Sequence, residues 1–406
     1  MHILYTAPGY KPAYRIGGPI ISVSAKAEML VKKGHKVTVF TTNSNLDEDL
    51  DVPTDQAIDV NGVEVWYFKR EGLLKKWLFF IPYISKSIGY LYAPRMRSAL
   101  DELVPNVDIV HTHLPFIYPT HAAVRAAFKY GKPLFYHQRG VFNPKQLKYR
   151  PLKKRTFIRF IEKPILRQAN TLISLTDFET DSYRMLGVDT NCEVIPNGIT
   201  VEDYWQELPP EWHEKLGIAP GVPVILFMSR LHPTKGGDRL IDAFLKVLND
   251  FPDAVLVMAG PDEHGLQKRM QEGLKAKERA GNILFPGMVS GEMKKALLAR
   301  ADLFCLPSNA EGFSMAILEA LASQTAVLIS PDCHFAEVET ANAGKIVSLA
   351  PEDIAKAITE LIANRKHLAK MGTNAFEFVR QHYNWEHIVD KLIAVYTAAL
   401  TKRTAE

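Results

Sequence analysis

Short apolar runs alternate with amphipathic segments along the chain, and this rhythm occurs twice. In the first half, runs rich in Val, Ile and Phe include HILYTAP, HKVTVFTT, VEVWYF, VDIVHTH, PLFYHQRG and TLISLT. In the second half they include VPVILFMSR, DAVLVMAGP, NILFPG, ADLFCLPS and TAVLISP. Segments of helical period, such as ISVSAKAEMLVKKG and GGDRLIDAFLKVLNDF, lie between them. Strands that are apolar on both faces and alternate with helices are typical of parallel sheets, so the pattern predicts two doubly wound α/β domains in series.

The periodicity lapses between Ile195 and Pro223, where proline and glycine cluster. We therefore predict a first domain over residues 1–195, a second over 196–375, and a C-terminal helix over 376–406 that packs back on the first domain. The length of 406 residues allows each domain its own core. The polar stretch TTNSNLDEDLDVPTDQ predicts a mobile loop after the second strand.

Composition narrows the class of protein. With 47% hydrophobic and 23% charged residues, the chain is neither disordered nor fibrous. The three cysteines, Cys192, Cys305 and Cys333, are widely spaced in apolar contexts, which predicts reduced thiols rather than disulfides or a zinc site. We find no signal peptide and no apolar stretch long enough for a membrane span, and therefore expect a cytoplasmic protein.

Two segments carry the basic surplus behind the net charge of +4: residues 68–97 and 145–167. The first interleaves Lys and Arg with aromatic residues, as surfaces that rest on anionic lipid headgroups do. Solvated helix faces with aromatic undersides packed in the core explain both segments equally well. The segment 68–97 therefore remains a candidate peripheral site for an anionic membrane at the inner face of the plasma membrane. No nucleic-acid motif accompanies the charge, so we expect no nucleic-acid partner.

Two glycine-containing turns are candidate phosphate sites. SRLHPTKGG follows a predicted strand and opens a helix, which places Arg230 and Lys235 beside a helix N-terminus, an arrangement suited to a diphosphate. Two solvated surface bases are the alternative. The turn YKPAYRIGGPI follows the first strand, and Gly17 and Gly18 would let backbone approach an anion there.

The run EGFSMAILEA places two carboxylates in an apolar context. Glu311 lies in the loop after the strand ADLFCLPS, and Ser314 is a candidate N-cap of the next helix. Glu319 lies about two turns into that helix among apolar neighbours. An unpaired buried carboxylate costs several kcal/mol, so Glu319 must meet either a protein cation or ligand hydroxyls. A sugar at Glu311, a ribose at Glu319 and phosphates at Arg230 and Lys235 together describe a nucleotide-sugar.

These motifs resemble a known family. The second half is similar to the C-terminal domain of the retaining glycosyltransferases of family 4 (glycosyl transferases group 1) through PNGI, SRLHPTKG, ADLFCLPSNAEGFSMAILEALA and NWEHIV. The first half resembles the same group through GGPIISVSAKAEMLVKKGHKVTVFTT, APRMRSAL and VDIVHTH. The resemblance implies the GT-B fold, with two Rossmann-like parallel-sheet domains facing across a cleft. It also implies transfer of a sugar from a nucleotide-sugar, UDP-sugar before GDP-mannose, to a glycan or lipid-linked acceptor in polysaccharide or glycoconjugate biosynthesis.

The resemblance also assigns expected roles. Glu311 contacts the donor sugar, Glu319 holds the ribose, and Arg230 and Lys235 hold the diphosphate. Backbone groups complete the donor site at Gly17, Gly18, Gly287, Met288, Gly312, Phe313 and Ser314. The nucleotide-sugar is a substrate, so no cofactor is expected, and two cations at the departing diphosphate make a metal unnecessary.

Several alternatives remain open. In YHQRG, Arg139 precedes the glycine where the family commonly has His, so His113, His137 or Arg139 faces the sugar; we favour His113 as the catalytic one. Asp47, Glu48 and Asp49 spell the Asp-x-Asp of metal-dependent transferases, but a solvated acidic loop explains them better. A sugar-nucleotide epimerase with the same donor cleft, and a non-catalytic sugar-binding or membrane-docking protein, are the competing functions.

Overall fold

The computed structural model describes residues 1–46, 48–71, 91–147, 151–262, 265–274 and 280–404. The chain forms two compact units, which we call unit 1 (Met1–Asn197 with Trp385–Glu406) and unit 2 (Gly198–Asn384). The predicted divisions at 195/196 and 375/376 differ from this one. Residue 376 lies inside a helix, Arg365–His382, that packs within unit 2, so the return to unit 1 comes only at Trp385.

Unit 1 is built on a sheet that is parallel over most of its width. Its strands are β1 (His2–Thr6), β2 (Lys36–Thr42), β3 (Ser44–Asn45), β4 (Glu48–Asp49), β5 (Ala57–Val60), β6 (Val63–Phe68), β7 (Ile109–His113), β8 (Leu134–His137), β9 (Thr171–Ser174) and β10 (Cys192–Val194). The main sheet has the order β10-β9-β8-β7-β1-β2-β6-β5, and β5 alone among its described strands pairs antiparallel. The order of strands reverses between β1 and β7, which is where sheets of this kind bind ligands.

Helices cover both faces of this sheet, which is why its central strands are buried on both faces. They are α1 (Gly18–Lys32), α2 (Arg95–Leu103), α3 (Tyr118–Lys129), α4 (Pro144–Leu147), α5 (Pro151–Phe157), α6 (Lys163–Gln168) and α7 (Asp177–Met185). A π-helical turn, Ile158–Glu162, connects α5 to α6. Most of the predicted membrane segment 68–97 lies outside the described residues, as does Asp47.

Part of the segment predicted as a mobile loop has local structure. The short strands β3 and β4 pair antiparallel there. Arg70 donates to the Ser44 hydroxyl at 3.0 Å and to the carbonyls of Leu46 at 2.8 Å and Glu48 at 3.1 Å. One guanidinium, with its five donors, thus ties both short strands to the end of β6.

Unit 2 is a second doubly wound domain. Its strands are β11 (Val224–Met228), β12 (Val255–Ala259), β13 (Ile283–Gly287), β14 (Leu303–Leu306), β15 (Ala326–Ile329) and β16 (Gly344–Ile346). Its helices are α8 (Glu211–Leu216), α9 (Gly237–Val247), α10 (Leu266–Leu274), α11 (Gly291–Arg300), α12 (Met315–Ala322), α13 (Glu337–Thr340), α14 (Pro351–Ala363) and α15 (Arg365–His382). The strand order β13-β12-β11-β14-β15-β16 is parallel throughout and reverses between β11 and β14.

The last helix, α16 (Trp385–Thr404), belongs to unit 1 and packs against α1. Lys33, directly after α1, forms an ion pair with Asp390 at 2.7 Å, and Tyr396 is fully buried against Tyr5 of β1. Within the described chain, no helix has both the length and the apolarity needed to cross a membrane. The three cysteines are free thiols, and Cys305 and Cys333 are buried.

Candidate active site

The loops that follow β11 and β14 bring Lys235 and Glu311 into contact. The ammonium nitrogen of Lys235 lies 2.5 Å from Glu311 Oε1, and their side chains are only 13% and 8% exposed. The Ser308 hydroxyl donates to the Thr234 carbonyl at 2.9 Å, and the Asn309 amide donates to the same oxygen at 2.8 Å. Two predicted site residues therefore meet where the strand order of unit 2 reverses, the expected ligand position.

Gly236 explains how closely these two loops approach. It has a φ of 71°, in the left-handed region that glycine adopts without penalty. A Cβ at this position would lie 2.1 Å from the carbonyl oxygen of Pro307, in the β14 loop. The glycine after Lys235 is therefore required both by the turn and by the contact that holds Lys235 beside Glu311.

Glu319 also meets a protein cation. It is buried in α12, and its Oε1 lies 2.6 Å from the Lys294 ammonium of α11. Tyr204 is a second neighbour of Glu319: burial and the Glu319 carboxylate raise the pKa of its hydroxyl above the ordinary value. The alternative that a protein cation satisfies Glu319 thus holds in this structure. Neither Lys294 nor Tyr204 was predicted, because nothing in their sequence contexts marks them as neighbours of Glu319.

The N-terminus of α12 lies next to Glu311. Ser314 occupies the N-cap position, as predicted, but its hydroxyl makes no capping hydrogen bond. Phe313 packs against Phe335 and Tyr383, with ring centroids 5.9 and 6.1 Å apart. The partial positive charge of this helix end, with the Gly312 backbone before it, therefore adjoins the Lys235–Glu311 pair.

The remaining predicted donor residues of unit 2 lie on neighbouring loops. Gly287 ends β13 with a φ of 74°, and its carbonyl accepts from the Gly260 amide at 2.8 Å. Met288, which follows, is 73% exposed. Arg230 is exposed on the loop after β11, the loop that carries Lys235. All of these positions follow carboxyl ends of parallel strands and so share one edge of the sheet.

The glycine turn of unit 1 forms the start of α1. Gly17 is the N-cap residue, with a φ of 96° and ψ of −152°, and Gly18 is exposed. A Cβ at either position would meet no atom within 4 Å, so space adjoins this helix end. The conformation of Gly17 is one that other residues rarely adopt.

Polar side chains, all but one of them buried, gather near the carboxyl ends of β7 and β8. We call the group the polar cluster of unit 1; it comprises Lys26, His111, His113, His137, Arg139 and Glu179. Burial, together with the positive charges of Lys26 and Arg139, lowers the pKa of each histidine well below its usual range. The histidines are therefore neutral at pH 7.

Of the three residues left open to face the sugar, Arg139 alone is partly exposed; His113 and His137 are fully buried. Arg139 adopts a φ of 53°. Its Nε donates to His113 Nδ1 at 3.3 Å, and its Nη1 donates to the Ser22 hydroxyl at 2.8 Å. The ends of β7 and β8 thus bring together a buried histidine, His113, and the arginine that it orients, Arg139.

The three histidines have nitrogens within 4.8 Å of one another, a spacing that could suit a metal ion. The hydrogen bond from Arg139 to His113 Nδ1 places the proton of that neutral ring on Nε2, so His113 cannot act as a ligand through either nitrogen without losing this bond. The adjacent guanidinium also repels a cation. The donor set therefore fits a metal poorly.

Glu179, at the start of α7, is the acid of the polar cluster. Its Oε2 accepts from the Leu175 amide at 2.8 Å. Burial raises the pKa of Glu179 to about 7, against the opposing effects of that hydrogen bond and of the Arg139 and Lys26 charges. Burial likewise lowers the pKa of Arg139 to about 10, so the guanidinium stays charged at pH 7.

Two family models match the chain. Residues 209–378 match glycosyl transferases group 1, and residues 16–203 match glycosyltransferase family 4. A D-inositol 3-phosphate glycosyltransferase of Nocardia farcinica is 28% identical over 251 residues, covering 59% of this chain and 55% of that protein. The chain thus matches about half the length of this relative. One from Geodermatophilus obscurus is 26% identical over 424 aligned positions, covering 99% of this chain and 89% of the relative.

Solved structures share the fold over the whole chain. Sucrose-phosphate synthase from Thermosynechococcus elongatus superposes with a TM-score of 0.76 at 18% identity, covering 99% of both chains. HepE from Anabaena, in complex with UDP and glucose, superposes with a TM-score of 0.74 at 18% identity, covering 98% of this chain and 100% of that one. At such identities the likeness shows the fold alone.

Proposed function

Since this chain belongs to the family 4, group 1 glycosyltransferases of the GT-B fold, we propose that it is a retaining hexosyltransferase that uses a nucleotide-sugar. The observation that carries this proposal is the contact between Lys235 and Glu311 beside the N-terminus of α12. A cation, a carboxylate and a positive helix end are the groups that a sugar diphosphate needs. The complex of HepE with UDP and glucose supports UDP-sugar as the first donor to test, with GDP-mannose second.

In the proposed mechanism, Lys235 and Arg230 bind the diphosphate, and Glu311 accepts hydrogen bonds from the sugar hydroxyls. Glu319 binds the ribose diol. The bond between the anomeric carbon and the phosphate oxygen breaks, and the acceptor oxygen bonds to that carbon on the same face. The acceptor's proton passes to the leaving phosphate. The cations stabilise charge that grows on the diphosphate, so we propose that no metal is needed.

The ion pairs of this structure suggest how the donor enters. Glu311 forms an ion pair with Lys235, and Glu319 forms one with Lys294. Each carboxylate is therefore paired with a lysine before the ligand binds. A diphosphate offers Lys235 a stronger partner, and sugar hydroxyls then replace the ammonium at Glu311. Each buried carboxylate would thus have hydrogen-bond donors both before and after the donor binds.

In unit 1 we propose that Arg139 contacts a substrate and that His113 positions it. His113 is fully buried and bonds to Arg139 at 3.3 Å, so it acts through the guanidinium. Replacing His113 with Gln should lower kcat while leaving the melting temperature and donor affinity nearly unchanged. A loss of melting temperature that accounts for the lost activity would make His113 a structural residue only.

The proposal is tested by thermal unfolding with UDP-, GDP- and ADP-sugars, with and without EDTA. A donor at 100 times its Kd adds about 2.7 kcal/mol to the free energy of unfolding. We expect stabilisation by one nucleotide class, retained in EDTA and absent in Lys235→Ala. Stabilisation that requires a divalent metal would contradict metal independence. Incubation of the donor without acceptor should return it unchanged; conversion to its epimer would instead favour an epimerase.

A further inference from the structure

Unit 1 contains a pocket whose lining includes no member of the polar cluster. It lies between the helical segment 151–168 and α7 and has a volume of about 750 Å³, within the range of small-molecule sites. Its lining residues are Phe142, Pro144, Leu147, Lys154, Arg155, Ile158, Arg159, Lys163, Ser182, Met185 and Leu186. None of the eleven is acidic. The pocket therefore combines an apolar surface with cations.

The floor of the pocket is part of the core. Phe142 and Ile158 are 1% and 6% exposed. Phe142 packs edge-on against Phe116 and Tyr183, with ring centroids 5.8 and 5.9 Å away. Because these rings are fixed from below, the floor is a preformed apolar surface rather than a gap that side chains could fill.

The rim carries Lys154, Arg155, Arg159 and Lys163. In the described part of the chain, no carboxylate forms an ion pair with Arg155, Arg159 or Lys163. The nearest acid in sequence, Glu162, is turned into the core. There its carboxylate accepts from the Phe116 amide at 3.0 Å and the Tyr136 hydroxyl at 2.6 Å. The rim is therefore strongly positive, and guanidinium groups match the geometry of phosphate oxygens.

The π turn places its acidic residue in the core and its neighbouring apolar residues on the surface. While Glu162 is held inside, Phe160 and Ile161 beside it are 68% and 38% exposed, and Leu152 of α5 is 83% exposed. Large apolar side chains next to a group of cations are typical of segments that lie in a lipid headgroup region. A site for a soluble anion would need the cations but not these exposed side chains.

We propose that this pocket binds one anionic lipid, with the phosphate at the cationic rim and a hydrocarbon chain on the apolar floor. The exposed side chains of the π turn and α5 would enter the surrounding headgroup layer. The proposal concerns a site separate from the donor residues of unit 2. It adds a specific lipid to the general expectation of an anionic membrane surface.

The first test is titration with short-chain lipids that remain monomeric. We expect dihexanoyl phosphatidic acid to bind saturably, one per chain, at least tenfold more tightly than glycerol 3-phosphate or dihexanoyl phosphatidylcholine. Equal binding of glycerol 3-phosphate would indicate a site for free phosphate, and equal binding of phosphatidylcholine a purely apolar site. Either result, or no saturable binding at all, overturns the proposal.

The second test compares two triple variants of equal charge change. The rim variant carries Arg155→Gln, Arg159→Gln and Lys163→Gln. The control carries three exposed, paired cations of unit 2: Lys246→Gln, Lys345→Gln and Arg380→Gln. On vesicles of phosphatidylcholine with phosphatidylglycerol, loss of three cations at the membrane should lower the partition coefficient by about 100-fold in the rim variant. The control should change it only a few-fold.

If the partition coefficient fell equally in both variants, only the net charge of the protein would matter for vesicle binding. That result would overturn the proposal of a lipid site in the pocket. Vesicles of phosphatidylcholine alone should not bind either variant or the natural chain. Thermal stabilisation by the nucleotide-sugar should be the same in both variants, since no rim residue belongs to the donor site. That readout separates failure of the lipid proposal from failure of the proposed function.

Discussion

In unit 2, Glu311 and Glu319 each lie within 2.6 Å of a lysine ammonium. In unit 1, the carboxylate of Glu179 is as deeply buried, but within the described chain no ion pair joins it to Lys26 or Arg139. The pKa of Glu179 rises to about 7 in consequence of its burial. In unit 2 a lysine in contact thus neutralises each buried carboxylate. In unit 1 the described residues make no such contact with Glu179, and burial instead favours its protonated form.

We expect the largest effect when the Lys235–Glu311 pair is broken. Lys235→Ala and Glu311→Gln should each lower kcat/KM for sugar transfer by about 100-fold or more, because each removes a group that stabilises the transition state. Initial rates with the identified donor measure this. The matched control is the exposed pair Lys246–Glu352, 2.6 Å apart in the same unit. Lys246→Ala should leave transfer unchanged; equal losses at both pairs would remove the special role of the first.

Next in size is the Lys294–Glu319 pair. Lys294→Met leaves Glu319 buried without its cation, and should cost about 2 kcal/mol of unfolding free energy in the absence of ligand. Glu319→Gln in the same chain should recover part of that loss, which a double-mutant cycle in urea measures. Lys295→Met, one residue further along α11, is the control and should have little effect. Additive losses would mean that Lys294 and Glu319 are not coupled.

The third prediction concerns unit 1, where the free energy of unfolding should depend on pH. The pKa of Glu179 is raised in the folded state, so folded chains hold a proton that unfolded chains release, and stability falls as pH rises from about 4.5 through about 7. The buried histidines act oppositely below about pH 6.5, where unfolded chains take up protons that the folded state refuses.

Lys26 of the same cluster also has a pKa lowered well below its usual range by burial, so the effect of Glu179 is isolated by comparison with Glu179→Gln. Between about pH 6.5 and about pH 8, the natural chain should lose ~1 kcal/mol of unfolding free energy relative to Glu179→Gln. Urea unfolding of both chains at the two pH values measures the difference. Parallel pH profiles would show that Glu179 is ionised throughout, as the carboxylates of a contact pair would be.

The smallest effect compares two helix N-caps. The Thr176 hydroxyl accepts from the Glu179 amide at 3.3 Å, so Thr176→Ala should cost about 1 kcal/mol. Ser314 makes no such bond at the start of α12, so Ser314→Ala should cost less than about 0.5 kcal/mol. Equal costs in urea unfolding would mean that Ser314 caps its helix after all.

Much of the fold was predictable, because buried parallel strands are apolar runs that alternate with helices. The exceptions have local causes. β5, with the sequence AIDV, pairs antiparallel at the sheet edge, where one polar face is tolerated and the apolar signal is lost. β3 and β4 depend on Arg70, which lies more than twenty residues further along the chain.

The candidate site was predictable only in part. Lys235 and Glu311 stand in recognisable motifs, and each follows a strand whose position in the sheet is fixed by topology. Lys294 has no such motif, since its approach to Glu319 depends on how α11 packs beside α12. At the turn after α12, Gln324 stands where glycine is usual and adopts the left-handed conformation, with a φ of 57°. Its amide and that of Thr325 bond back to Leu321 and Ala320, so hydrogen bonds stabilise a turn that propensity disfavours.

The π turn at Ile158–Glu162 determines what a one-residue deletion in this segment would do to the structure. It holds one residue more than a regular helical turn. Deleting that residue would join α5 to α6 as one α-helix, rotating α5 by about 100° against the anchored Glu162 and Leu166. Leu152 and Arg155 would then leave their present face. In evolutionary terms, a one-residue deletion here redirects a surface instead of shortening a segment, so relatives with and without the extra residue should differ in what they bind there.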